Sequence, residues 1–255
     1  MNGNLFKEKL GRGELQFGLF CMSQAAQTAD ALTDCKFDFL MFDLEHSPTS
    51  LPVLYGQVLA LGGTGTQMIV RMPSQDPVPL KPVLDMGIDT VMIPNVRTAA
   101  EARAVVSAVL YPPHGIRGMG GSVRATRYGR DQSYYAGAAD RVCLLVQLES
   151  AEGLRNIEEI CAVDGVDGIF IGPVDLATDM GHLAAPTHEA VMAAALDGMR
   201  RARATGKGAG ILAGEAQCRQ YLDAGATVVC LGSDLTLLVR AADALASRWI
   251  PTRKP

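Results

Sequence analysis

Short apolar runs recur along this chain, each followed by a longer stretch whose apolar positions are spaced as on one face of a helix. The runs fall at 17–22 (FGLFCM), 37–43 (FDFLMFD), 68–71 (MIVR), 90–94 (TVMIP), 142–148 (VCLLVQL), 168–172 (GIFIG), 209–212 (AGIL) and 228–231 (VVCL). Helical spacing is clearest at 154–161, 189–204 and 235–247. Such alternation is the mark of βα units around a parallel sheet. Eight units argue for closure, so the expected fold is an α/β (β/α)8 TIM barrel, a single domain over 1–255.

Several runs end in polar residues or glycine: Asp43, Glu45 and His46, then Arg71, Gln147 and Glu149, Gly172 to Asp175, and Gly232, Ser233 and Asp234. In a barrel the carboxyl ends of all strands open onto one face, where catalysis sits. Chemistry is therefore assembled from distant sequence. One long insertion, 111–140, separates the fourth helix from the fifth strand and carries GIRGMGGSVRATRYGR. Its length marks it as a lid or a subunit-contact arm. The closing RWIPTRKP reads as a tail that frays unless a neighbouring subunit holds it.

Composition narrows the partners. With 48% hydrophobic residues, 255 residues can bury a full-sized core. A net charge of −4, from 27 acidic and 23 basic residues, supplies no basic field for a nucleic-acid backbone or an anionic membrane. The N-terminus has no apolar core of a signal peptide, and no run approaches the roughly 20 apolar residues of a spanning helix. The six cysteines form no C-x-x-C pair and read as buried thiols in a reducing compartment, the cytoplasm.

Glu149 and Asp175 end neighbouring expected strands, so their carboxylates can converge above the barrel. Two carboxylates without cysteine suit Mg2+ or Mn2+, with Co2+ or Zn2+ also compatible. The same pair could equally be tied to loop backbone or arginines. His46 could take a proton near neutral pH, its unperturbed pKa being about 6.5, and Asp85 is a candidate anionic partner for its ring. A histidine in such a loop is otherwise solvated or structural. Arg71 could hold a carboxylate or an oxyanion, or could only pair with Asp43 or Glu45. The backbone of Gly172, Val174 and Asp175 could form a small anion nest. Gly232-Ser233-Asp234 fits a phosphate loop or a plain N-cap. No lysine falls in a strand, which argues against an imine mechanism, and no cysteine stands beside a histidine at a strand end.

The strings FDLEHSP (42–48), IVRMP (69–73), LDMGIDTVMIPNV (84–96), YPPHGIRG (111–118), QLES (147–150) and IFIGPVDLA (169–177) together resemble the HpcH/HpaI family of class II, metal-dependent pyruvate aldolases. The resemblance covers nearly the whole chain and extends to the 4-hydroxy-2-oxoheptanedioate and 2-dehydro-3-deoxyglucarate aldolases. It implies reversible cleavage of a 4-hydroxy-2-oxo acid to pyruvate and an aldehyde such as succinic or tartronate semialdehyde. In that scheme Glu149 and Asp175 bind the divalent metal, and His46, supported by Asp85, is the general base. Asp43 orders a metal-bound water, Arg71 stabilises the oxyanion, and Gln147, Gly172 and Val174 complete the pyruvate site. Phe20, Leu212, Ser122, Val123, Arg124 and Arg127 stand near places that could face the aldehyde, and Arg124 or Arg127 is the expected contact for an acidic acceptor. The resemblance further implies a hexamer, a trimer of dimers that exchange the helix at 235–247. Oxaloacetate decarboxylation and citrate-lyase-like chemistry on a CoA thioester are the competing reactions on this scaffold, and a non-catalytic barrel is the remaining alternative.

Overall fold

The computed structural model describes residues 3–250. Eight strands, β1 (Gln16–Cys21), β2 (Phe39–Asp43), β3 (Gln67–Arg71), β4 (Thr90–Ile93), β5 (Cys143–Leu148), β6 (Gly168–Ile171), β7 (Gly208–Leu212) and β8 (Val228–Ser233), pair in sequence order into a closed barrel. All pairings are parallel, including the closing β1–β8 contact. Twelve α-helices accompany them among the described residues: α1 (Leu5–Gly11), α2 (Ala26–Leu32), α3 (Leu51–Ala60), α4 (Pro77–Asp85), α5 (Ala99–Val109), α6 (Tyr134–Arg141), α7 (Ala151–Arg155), α8 (Ile157–Cys161), α9 (Pro173–Asp179), α10 (Glu189–Ala204), α11 (Glu215–Asp223) and α12 (Asp234–Trp249). The expected barrel and its eight strands are therefore present. The helix expected at 154–161 is broken at Asn156, whose side chain donates to the Arg97 carbonyl at 2.8 Å.

The strands separate two cores, because successive side chains point to opposite faces. Leu40, Phe42, Val70, Leu144 and Val146 face outward and pack against the helices. Phe39, Met41, Ile69, Met92, Leu145 and Phe170 fill the barrel axis. Gly18 is required on that axis, since a Cβ there would overlap the Phe39 ring. The amino-terminal face is plugged by α1, whose Phe6 and Leu10 are buried in the axial core. Asn4 caps this helix by accepting from the Lys7 N–H, and its amide donates to the Thr90 hydroxyl at 2.9 Å. Such a cap satisfies helix donors that would otherwise lack partners.

Three expectations change. The insertion at 111–140 does not lie over the mouth of its own barrel. It joins α5 to β5, and helix-to-strand connections return to the amino-terminal face. There the Arg124 guanidinium donates to the Met86 carbonyl at 2.7 Å, just beyond the end of α4. Cys35 is exposed and Cys218 half-buried, whereas Cys21, Cys143, Cys161 and Cys230 are buried. Of the expected tail, Arg248 and Trp249 extend α12, and 251–255 lie outside the described residues.

The last helix, α12, leaves most of its apolar side chains uncovered. Leu238 is 65% exposed and Trp249 79%, with Val239 and Leu245 also more than half exposed. Only Asp234, at its first position, is buried. No helix among the described residues is long and apolar enough to cross a membrane.

Candidate active site

The inward parity of the strands carries through to their carboxyl ends. Phe39 and Met41 are axial, so Asp43 is axial too. Ile69 leads in the same way to Arg71, Leu145 to Gln147 and Glu149, and Phe170 to Gly172. Register then makes neighbours of residues remote in sequence, pairing Asp43 with Arg71 across β2 and β3. Above this ring lies a cavity of about 620 Å3, lined among others by Phe20, His46, Arg71, Gln147, Gly172 and Asp175.

Asp43 is almost fully buried and grips Arg71 with both oxygens, accepting from Nε at 2.8 Å and from Nη2 at 2.6 Å. Such a two-point contact fixes the guanidinium plane as well as its position. The other terminal nitrogen of Arg71 lies 3.1 Å from Glu45 Oε2, and the guanidinium sits 5.0 Å from the Phe20 ring centre. Burial alone would lower the Arg71 pKa. The hydrogen bonds and charges of Asp43 and Glu45 outweigh it, so the pKa is raised.

Glu149 is buried beside this cluster, and its Oε2 accepts from Gln147 Nε2 at 2.6 Å. Its carboxyl is pushed up to about 7, first by burial and then by the charges of Glu45 and Asp175. Burial likewise raises Glu45, against the pull of Arg71 and His46. The Oε1 of Gln147 is buried without a hydrogen-bond partner. Gly172 makes the space possible, for a Cβ there would stand 2.7 Å from both Gln147 Nε2 and Glu149 Oε2. Asp175 enters the cavity from the first turn of α9, which Gly172 precedes and Pro173 opens.

His46 lines the cavity with its side chain 56% exposed, and Glu45, at 3.8 Å, is beyond hydrogen-bond reach of its Nε2. Val174 and Leu212 line the wall that this cavity shares with a smaller one of about 170 Å3. Eight expected residues, Phe20, His46, Arg71, Gln147, Gly172, Val174, Asp175 and Leu212, therefore line one cavity, with Asp43 and Glu149 buried behind it.

Asp85 does not join them. It ends α4 and thus sits toward the amino-terminal face, where it accepts from the buried Arg117 at 3.0 Å. Val123 and Arg124 belong to the same region: Val123 and Asp85 both crowd Gly120, and Arg124 borders Gly87. Arg124 therefore stands away from the mouth of its own barrel, and the expected contact with an acceptor would be made with the cavity of a neighbouring subunit. Of the two readings for Gly232-Ser233-Asp234, the structure displays the N-cap, Ser233 accepting from the Thr236 N–H at 3.2 Å. Sequence reasoning named Glu45 only as a possible ion-pair partner of Arg71, and the structure displays that pair at 3.1 Å. It missed Thr236, Leu237 and Arg240, which reach the cavity from the first turns of α12.

A closed parallel barrel that gathers an arginine, a histidine and several carboxylates at the carboxyl ends of its strands is built as a TIM-barrel enzyme. The chain belongs to the HpcH/HpaI aldolase/citrate lyase family, whose profile matches residues 16–241. It is 44% identical over 248 residues to the 4-hydroxy-2-oxo-heptane-1,7-dioate aldolase of Klebsiella pneumoniae, covering 96% of this chain and 94% of that one. It is 41% identical over 247 residues to the pyruvate aldolase of Rhizobium etli, covering 96% and 97%. Among solved structures, a family member from Burkholderia cenocepacia superposes with a TM-score of 0.93 at 33% identity, covering 96% of this chain and 98% of that one.

Proposed function

We propose that this protein is a divalent-metal-dependent aldolase, a carbon–carbon lyase that reversibly cleaves a 4-hydroxy-2-oxo acid into pyruvate and an aldehyde. The observation that carries the reading is the convergence of Arg71, Gln147, Glu149 and Asp175 with His46 around one cavity. The names of the Klebsiella and Rhizobium relatives support the same reaction.

The residues present fit a hard cation. Glu149 and Asp175 are oxygen donors without a cysteine beside them, the donor type of Mg2+ or Mn2+ sites in which substrate or water oxygens complete the coordination. Glu149 is held close enough to Asp175 and Glu45 for their charges to raise its pKa, a penalty that a cation between the carboxylates would relieve. The orphaned Oε1 of Gln147 and the room beside Gly172 supply a polar lining. Glu149 and Asp175 would hold the ion, Mg2+ or Mn2+ by ligand type, and when bound it would stabilise enolate charge on pyruvate.

The chain's own groups divide the remaining work. His46, exposed to the cavity, takes the proton from the C4 hydroxyl as the C3–C4 bond breaks and the aldehyde leaves. The electron pair of that bond passes toward the C2 oxygen, and Arg71, held rigid by Asp43, is the fixed cation that meets it. The first-turn N–H groups of Val174 and Asp175 have no partner within the helix and are available to the substrate carboxylate. Return of a proton to C3 completes pyruvate.

The uncovered apolar side of α12 supports exchange of this helix between subunits of a dimer, within a hexamer. Asp85 lies toward the opposite face from His46, so any pairing of the two is made between chains. The reducing cytoplasm is the proposed compartment for the free cysteines.

Proton exchange at the pyruvate methyl group, followed by NMR in D2O, tests this without choosing an aldehyde. Exchange should require Mn2+ or Mg2+ after EDTA treatment and be lost in His46→Ala and Glu149→Ala. Exchange that is absent with every metal, or that survives both substitutions, sinks the proposal.

A further inference from the structure

The cavity is far larger than a three-carbon acid fills, and its composition is uneven. At about 620 Å3 it falls within the range of sites for drug-sized ligands. Its inner end holds Arg71, Gln147 and Asp175. Much of the remaining wall is apolar, with Phe20, Met22, Phe170, Val174, Leu212 and Leu237. At the α12 side stands Arg240, exposed and without an ion pair or hydrogen bond among the described residues.

Arg240 is the cation of this cavity with its charge still free. Arg71 is already engaged by Asp43 and Glu45. The inner end is otherwise acidic and most of the remaining wall is apolar, so Arg240 is the unengaged guanidinium that an anion reaching past pyruvate meets among the lining residues. The position of Arg240 is built in. Asp234 is buried and accepts from the Met22 N–H at 2.8 Å and the Ser23 N–H at 3.1 Å, which ties the start of α12 to the end of β1. A reciprocal capping box between Ser233 and Thr236 sets the helix direction. Thr236, Leu237 and Arg240, spaced one and four apart, then share the helix side turned to the cavity. Whether the rest of α12 packs on its own chain or a neighbour, these first turns stay at the mouth.

We propose that Arg240 determines acceptor specificity, selecting an aldehyde with an apolar stem and a carboxylate at its far end. The inference rests on the aldolase reading above. It assigns acceptor recognition to the last helix, at the mouth of the chain's own barrel, whereas the arginines of the 111–140 insertion lie toward its other face.

The test compares kcat/KM for addition of pyruvate to succinic semialdehyde and to butanal, which has the same four-carbon chain without the acid. Wild type, Arg240→Gln, Arg240→Glu and Arg124→Gln are measured with Mn2+. A charge-assisted hydrogen bond contributes about 1.5–3 kcal/mol, so Arg240→Gln should lower the acid-to-neutral preference about 10- to 100-fold. Arg240→Glu should lower it further, and Arg124→Gln should keep the wild-type ratio. An unchanged ratio in Arg240→Gln overturns the assignment, as does a wild-type enzyme that exchanges pyruvate protons yet does not prefer the acid. Absence of pyruvate exchange in the wild type overturns the aldolase reading instead.

Discussion

Replacing Glu149 by Gln should stabilise the metal-free protein at alkaline pH while abolishing its response to metal. The wild-type carboxyl is raised from 4.5 to about 7, chiefly by burial and then by Glu45 and Asp175. That displacement costs the ionised form about 3 kcal/mol. Because the folded pKa lies above the unfolded one, the stability linked to this group is complete below about 4.5 and lost as pH rises through 7. An amide cannot ionise, yet it keeps an oxygen to accept from Gln147. The variant should therefore exceed wild type by about 3 kcal/mol at pH 8.5 and by only about 1 kcal/mol at pH 5.5. For a chain of this size the larger gap is about 6–12 °C in melting temperature. The assay is thermal and urea unfolding of EDTA-treated protein at both pH values, repeated with excess Mn2+. Metal should raise the wild type by mass action and leave the variant unmoved. A variant no more stable than wild type at pH 8.5, or a gap that does not narrow on acidification, would refute the like-charge argument.

Other substitutions probe separate parts of the site. Gly172→Ala places a Cβ against Gln147 and Glu149 and should cost about 1–3 kcal/mol of stability and about 10- to 100-fold in Mn2+ affinity, read by calorimetry. Unchanged metal binding would show that this space is not part of the metal site. Asp43→Ala leaves Arg71 buried without its two-point partner and should destabilise by about 3–5 kcal/mol in urea, with kcat falling alongside. A loss below about 1 kcal/mol would mean that Glu45 alone suffices. Leu238→Asp, on the uncovered side of α12, should lower the sedimenting mass of the assembly, and an unaltered oligomer would remove this surface from the interface.

Much of the fold was legible in the chain because burial on both sides leaves each strand a nearly continuous apolar run, and eight such runs admit few architectures. Asp43, Arg71, Gln147 and Glu149 could be placed as well, since side-chain alternation carries the axial parity of each strand to its polar end. The same topology, fully applied, places Arg124 and Asp85 toward the amino-terminal face, where each helix ends and its connection to the next strand runs. What remained hidden was set by distance in three dimensions. The charges that raise Glu149 come from Glu45 and Asp175, far away in sequence, and desolvation depends on packing that no local pattern encodes. Arg240 resembles any surface arginine on an amphipathic helix until the anchored start of α12 brings it to the cavity. Local periodicity determined the elements and their inward faces, whereas barrel closure alone decided which charges meet, because field and solvation act through space rather than along the chain.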